Sequence, residues 1–447
     1  MVQGTGGHRP QPALGDGHRR RGVSARAEAP GRPPSPIRLD PAPDSSVALL
    51  REGYNFIPTR CRRFGSDLFQ TRLMLKRAVC MTGADAARQF YRPDQFTRRG
   101  GMPQSTFALI QDNGSVMALD GEAHRWRKAM FLSLVEPAAL QRLAIATAAE
   151  WRARVRLWPG MAEVVMLEEA QLALCAAVCA WAGLSLTGRE VRRRMQEFAA
   201  MVDGTGSVGP RNWRGHWMRS GTERWMRNTI RRIRSGEIAA AEGSAAEVVA
   251  RHRDRAGRLL DVRVAAVELI NVLRATVANA RYVVFGALAL HEHPECREAL
   301  RDSDDAAMEQ FAHEVRRFYP FIPFIGGRVL QPFEWRGHGF AQGDWVLMDL
   351  YGTNRDPRAW DAPDAFRPER FRNWDGNPYT FVAQGAGDFA AGHRCPGEWI
   401  TVAQMKAMLA VLAHEVRYAV PPQNLAVDLR RMPALPESRF IVTQAKC

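Results

Sequence analysis

The chain of 447 residues has little cysteine, almost no lysine and no long apolar run. Its cysteines (Cys61, Cys80, Cys175, Cys179, Cys296, Cys395 and Cys447) are odd in number and lack C-x-x-C spacing. That excludes a disulfide scaffold or a zinc site as a simple reading and fits a reducing compartment. The longest mainly apolar stretch, Leu172 to Leu186, is about fifteen residues, against the roughly twenty a membrane span needs. It reads as a buried helix. Arg19-Arg20-Arg21 is not followed by the apolar segment of an export signal, so a cytoplasmic protein without a transmembrane segment is expected.

Acidic residues are also in deficit: 47 Asp+Glu face 62 Lys+Arg, for a net charge of +15. Only Lys76, Lys128, Lys406 and Lys446 are lysines, and the arginines are spread along the chain. With alanine and glycine equally abundant, this bias fits a GC-rich coding sequence better than a nucleic-acid footprint. A hydrophobic fraction of 46% rules out wholesale disorder and allows a large core.

Residues 1–44 are rich in Gly, Pro, Ala and Arg and read as a disordered extension, leaving 45–447 as one domain. Helical spacing is expected over roughly 122–156, 162–182, 188–203, 222–241, 261–291, 305–318 and 396–416. Strands are expected near 71–81, 327–337 and 345–349. The fold class is therefore mainly α, a large helical domain with a small β-sheet region.

The most specific segment is Phe381-Val-Ala-Gln-Gly-Ala-Gly-Asp-Phe-Ala-Ala-Gly-His-Arg-Cys395-Pro-Gly-Glu398. A glycine-rich loop delivers one cysteine to a helix start, where amides and the helix dipole favour a thiolate. Small residues there let a flat cofactor approach the backbone. Upstream, Glu314 and Arg317 sit three apart in His313-Glu-Val-Arg-Arg-Phe-Tyr-Pro320, and Arg370 lies in Phe366-Arg-Pro-Glu-Arg-Phe371. Alone, such a pair is an ordinary helix salt bridge. A third stretch, Asn271-Val-Leu-Arg274-Ala275-Thr276-Val-Ala-Asn-Ala-Arg281, puts arginine on an apolar helix. His124 and Lys128 share a face, Arg281 reads as structural, and His291-Glu-His293-Pro reads as a surface cap rather than a metal pair.

In this order, the Glu314, Arg317 and Arg370 triad and the Cys395 loop resemble the cytochrome P-450 superfamily over about 400 residues. Arg274, where most members carry an acid and a threonine, resembles the fatty-acid peroxygenase family, as do Arg51-Glu-Gly-Tyr-Asn-Phe-Ile and Leu119-Asp-Gly-Glu-Ala-His124. The resemblance implies haem b, with Cys395 as its iron ligand and His124 and Lys128 at its propionates. It implies hydrogen-peroxide-dependent α- or β-hydroxylation of long-chain fatty acids, with decarboxylation to terminal alkenes competing. Arg274 would hold the substrate carboxylate, which would move the peroxide's proton, and no redox partner would be obligatory. Met117 and Ala275 would line the substrate, although relatives have glutamine or histidine at the first position and proline at the second. The alternatives are a reductase-dependent monooxygenase acting on an acidic substrate and a non-catalytic haem-binding protein.

Overall fold

The computed structural model describes residues 37–112, 114–301 and 304–446. The first 36 positions of the expected disordered extension lie outside these. Its last residues are anchored: Leu39 bridges Gln70, and the Asp40 carboxylate accepts from Arg60 Nε at 2.6 Å. Composition did not reveal this, because the partners are supplied from later in the chain.

The region read as one strand over 71–81 is a hairpin, Leu68–Leu73 against Lys76–Met81. Met74 and Leu75 turn it with positive φ, a geometry that side chains other than Gly, Asn and Asp rarely signal. The hairpin joins a five-stranded sheet through Trp345–Asp349, which runs parallel to Lys76–Met81 and antiparallel to Phe324–Val329. The expected 327–337 strand is two strands, Phe324–Val329 and Phe333–Trp335, because the chain leaves the sheet after Val329.

Helices dominate the rest. The 122–156 expectation resolves into Gly121–Leu132 and Pro137–Val155, since Pro137 lacks the N–H an interior turn requires and instead opens the second helix. The expected 222–241 helix is Pro210–Arg234: Gly209, with φ of 78°, starts it, and its arginine-rich face hid the apolar period. Met166–Trp181, Gly188–Gly204, Asp305–Phe318 and Glu398–His414 fall close to expectation. The expected 261–291 helix is Val262–Ala278 followed by Ala280–Glu292, with the break at Asn279.

This pair forms the centre of the molecule. Leu269, Ile270 and Leu273 pack with Phe198 and Met226 in one core, while Phe285 and Leu288 pack with Trp151 and Met405 in another. From Ala265 to Leu290 every residue is buried except Ala275. A single exposed alanine in the middle of a buried helix marks an internal void against that face.

Candidate active site

Cys395 lies between the loop ending at Arg394 and the helix Glu398–His414. Its backbone N–H donates to Gln384 O at 3.0 Å, which folds the loop back on itself. Gly385 has a φ of +98°, and a Cβ there would meet Tyr91 Oη at 3.0 Å, so glycine is needed for both conformation and space. Burial pushes the Cys395 thiol up, against the pull of the Gly397 amide, Lys128 and Arg316. Protein surrounds Cys395, yet it is partly accessible. Its accessible surface therefore belongs to an internal space, consistent with the gap at Ala275.

Behind the cysteine, Gln384 Nε2 lies 3.9 Å from Cys395 Sγ and donates to Thr401 Oγ1 at 3.0 Å. Thr401 donates to Asn279 Oδ1, and Asn279 Nδ2 donates to Gln404 Oε1 at 2.9 Å. The helix break is thus tied to the cysteine loop. Glu398 takes Arg316 Nη2 and Arg394 Nε, both at 2.6 Å, and these cations hold its carboxyl down at about 2 against the effect of burial.

A basic cluster flanks the loop. Lys128 and His124 are both buried, so the shared face is not a solvated one. Lys128 Nζ donates to the carbonyls of Gly392 and Arg394, the latter at 2.8 Å. The His124 and His393 rings stand 4.0 Å apart. Burial, Lys128 and Arg98 hold His124 down at about 4, and burial, Arg98, His124 and Lys128 hold His393 well below the ordinary histidine range. Arg98, only 3% exposed, has no partner for Nε or Nη1, and His393 Nδ1 is also unpartnered. So many buried donors without a paired carboxylate describe a site for an anion.

Arg274 is buried on Val262–Ala278. Its Nη2 donates to Ile110 O at 2.5 Å and lies 3.5 Å from Asn271 Oδ1, while Nε has no partner. Among the described residues no carboxylate pairs with it. Burial, reinforced by Arg219, pulls its guanidinium down to about 9, and negative charge on Cys395 opposes that. Glu268, on the same helix, is committed elsewhere: it accepts from Val116 N at 2.7 Å, Arg127 Nη1 at 2.8 Å and Asn271 Nδ2 at 3.3 Å. These bonds, with Asn271 Nδ2 to Gln111 Oε1 at 3.1 Å, seat the loop carrying Met117 against the Arg274 helix. The helix runs unbroken through Ala275, whose lack of a proline ring leaves the turn regular.

Glu314, Arg317 and Arg370 come together. Arg317 Nε and Nη2 each donate to Glu314 at 2.7 Å, and Arg370 Nε reaches Glu314 Oε1 at 3.2 Å. Arg281 pairs with Asp203 instead, and His291 and His293 pack on Phe440 and Phe366. Sequence reasoning did not find Arg98, Asn271, Gln384 or Arg316. In a chain with so many arginines, only burial without a partner sets Arg98 apart.

A family model described as Cytochrome P450 matches residues 306–442. Rhazimal synthase of Alstonia scholaris is 30% identical over 175 residues, 34% of either chain. Psoralen synthase of Ammi majus is 32% identical over 122 residues, 26% of this chain and 24% of that one. These alignments span about a third or less of the curated relatives. The solved structures match almost end to end. Cytochrome P450SP alpha (CYP152B1) in complex with (R)-ibuprophen is 44% identical, covers 91% of this chain and 99% of its own, and superposes with a TM-score of 0.88.

The chain belongs to the cytochrome P450 family. Within that family it groups with the fatty-acid peroxygenases. Cytochrome P450EX alpha (CYP152N1) with myristic acid is 38% identical at a TM-score of 0.89, and a variant of cytochrome P450 OleT in complex with arachidonic acid is 32% identical at the same score. The cofactor is haem, and the residues present fit it. Cys395 would ligate the iron, and Ala275 leaves the opposite helix face open. Arg98 and His393, beside His124 and Lys128, keep unpartnered nitrogens that would suit the two propionates.

Proposed function

We propose that this cytochrome P450 is a hydrogen-peroxide-dependent peroxygenase that hydroxylates long-chain fatty acids at the α or β carbon, with decarboxylation to a terminal alkene as a competing outcome. One observation carries the reading: Arg274 is a buried arginine with no acidic partner among the described residues and with Nε free, in the electrostatic neighbourhood of Cys395. Desolvation makes an unpaired guanidinium costly, and a substrate carboxylate received on its planar edge removes that cost.

Haem held by Cys395 would supply the peroxide-cleaving, oxidising chemistry, with hydrogen peroxide as the two-electron oxidant. The chain does the rest by placement. Arg274 fixes the carboxylate, so Cα and Cβ are the carbons presented to the void beside Ala275. Glu268 is locked into three hydrogen bonds, which leaves the bound carboxylate as the group able to carry a proton between the peroxide oxygens. Met117 has no proton to donate, so regiochemistry rests on the clamp.

The test combines purified haem-loaded protein, a long-chain fatty acid and hydrogen peroxide, without reductase, and reads products by mass spectrometry. Hydroxy acid or alkene is expected from the wild type and none from Cys395→Ala. Arg274→Ala should lose roughly a hundredfold in turnover, as for truncation of a desolvated charge partner. Undiminished product from Arg274→Ala, or turnover that requires a reductase, would overturn the reading.

A further inference from the structure

A second cationic cluster lies two helical turns beyond Arg274. Arg281 is 1% exposed; its Nη2 donates to Asp203 Oδ1 at 2.5 Å, and its Nε and Nη1 have no partner. Arg431 Nη2 reaches the same oxygen at 3.3 Å, and its Nε is also unpartnered. Arg211, whose Nη2 donates to Met432 O at 3.2 Å, is the third cation acting on Asp203. Three arginines against one carboxylate leave two positive charges in excess, and no other acid among the described residues pairs with them. Of the neighbouring phenols, Tyr54 Oη donates to Phe321 O and accepts from Ala434 N, and Tyr282 Oη is unpartnered. Arg281 is the buried member, and Asp203, Arg211 and Arg431 are partly exposed around it, so the excess charge meets a deeply buried guanidinium that an anion entering from the open side would satisfy.

Its position relates it to the substrate. Seven residues at 3.6 per turn return to nearly the same side of a helix, about 10 Å farther along its axis. Asn279 keeps helical dihedrals, φ −62° and ψ −16°, so the break does not swing Arg281 away. A second route joins the two clusters: Arg274 holds Ile110 O, the adjacent Leu109 side chain lies against Gly204, and the residue before Gly204 is Asp203. The cationic groups thus border the same junction of Gln104–Ile110, Gly188–Gly204 and Val262–Ala278.

We propose that the Arg281, Arg431 and Arg211 cluster is a second carboxylate site, which receives the far end of a medium-chain α,ω-dicarboxylic acid whose first carboxylate rests on Arg274. This deepens the peroxygenase reading, since the Arg274 end rests on it. Oxygen insertion stays at the Arg274 end and the distal carboxylate is not consumed.

The experiment is calorimetric titration of the haem-loaded full chain, without peroxide, with decanedioate, decanoate and inorganic phosphate. Decanedioate should bind at least tenfold more tightly than decanoate. Arg281→Leu should abolish that margin and leave decanoate within twofold of wild type. Arg431→Gln, at a half-exposed and more tolerant position, should reduce the margin severalfold even if Arg281→Leu fails to fold. Equal binding of the two acids, a margin that survives both substitutions, or phosphate competing with decanoate as strongly as with decanedioate would overturn the proposal. Decanoate binding undiminished by Arg274→Ala would instead overturn the peroxygenase reading, while the Arg281-dependent margin would still report on the second site.

Discussion

Residue by residue, the protein separates buried charges that have partners from buried charges that await them. Glu398 is saturated by Arg316 and Arg394, whereas Arg98 and Arg274 keep unpartnered nitrogens. The second group carries a cost that a bound anion relieves. Beside Arg98 and Lys128, the buried His124 makes stability depend on pH. His124 is held at about 4, below the 6.5 of an exposed histidine. Between those values the unfolded chain binds a proton that the folded chain does not, so stability is full above pH 6.5 and is lost as pH falls toward 4. The loss reaches about 3 kcal/mol for a shift of this size. Thermal melts of the haem-free protein from pH 7 to 4.5 should show a steeper decline than those of His124→Gln. Haem, if its carboxylates are received by this cluster as proposed, should flatten it.

Cys395 and Arg274 were legible in the sequence because each breaks its surroundings, one in a glycine-rich loop and the other in an apolar helix. Arg98 and Arg316 were not, since an arginine in an arginine-rich chain has no local mark.

Among the elements, the break between Val262–Ala278 and Ala280–Glu292 is held by side chains rather than by proline. Asn279 gives its amide to Gln404 and accepts from Thr401, which in turn accepts from Gln384 beside the cysteine. Asn279→Leu would leave the buried Gln404 amide oxygen without its donor, while Thr401 Oγ1 keeps Gly397 O at 3.3 Å, at a cost of about 1–3 kcal/mol, read by denaturant unfolding. The helix Gly188–Gly204 begins with a reciprocal cap, Thr187 accepting from Glu190 N while Glu190 accepts from Thr187 N. Thr187→Ala should cost about 1 kcal/mol in the same measurement. That helix start was readable locally. The start of Pro210–Arg234 was missed because its buried face is built of small and polar residues, Asn212, Gly215, Arg219 and Thr222, which carry no apolar period.

Across the whole molecule, the fold is closed by polar contacts between distant segments as much as by its apolar cores. Glu314 joins the helix Asp305–Phe318 to the region around Arg367 and Arg370, and Arg317 adds the carbonyls of Asn354 and Pro363. Glu314→Ala would strand two buried guanidiniums and should cost about 3–5 kcal/mol. Arg370→Ala, which removes the more peripheral cation, should cost less. Thermal denaturation of both variants with haem bound checks the order. No single helix among the described residues is long and apolar enough to cross a membrane.

The sequence by itself determined the helical class, the order of the motifs and the identity of Cys395 and Arg274 as exceptional residues, because periodicity and local chemical contrast are written in neighbouring positions. Only the tertiary structure decided which of many arginines are buried without a counter-charge. Pairing depends on residues such as Asp203 and Arg281, which lie 78 positions apart and meet only when the chain is folded.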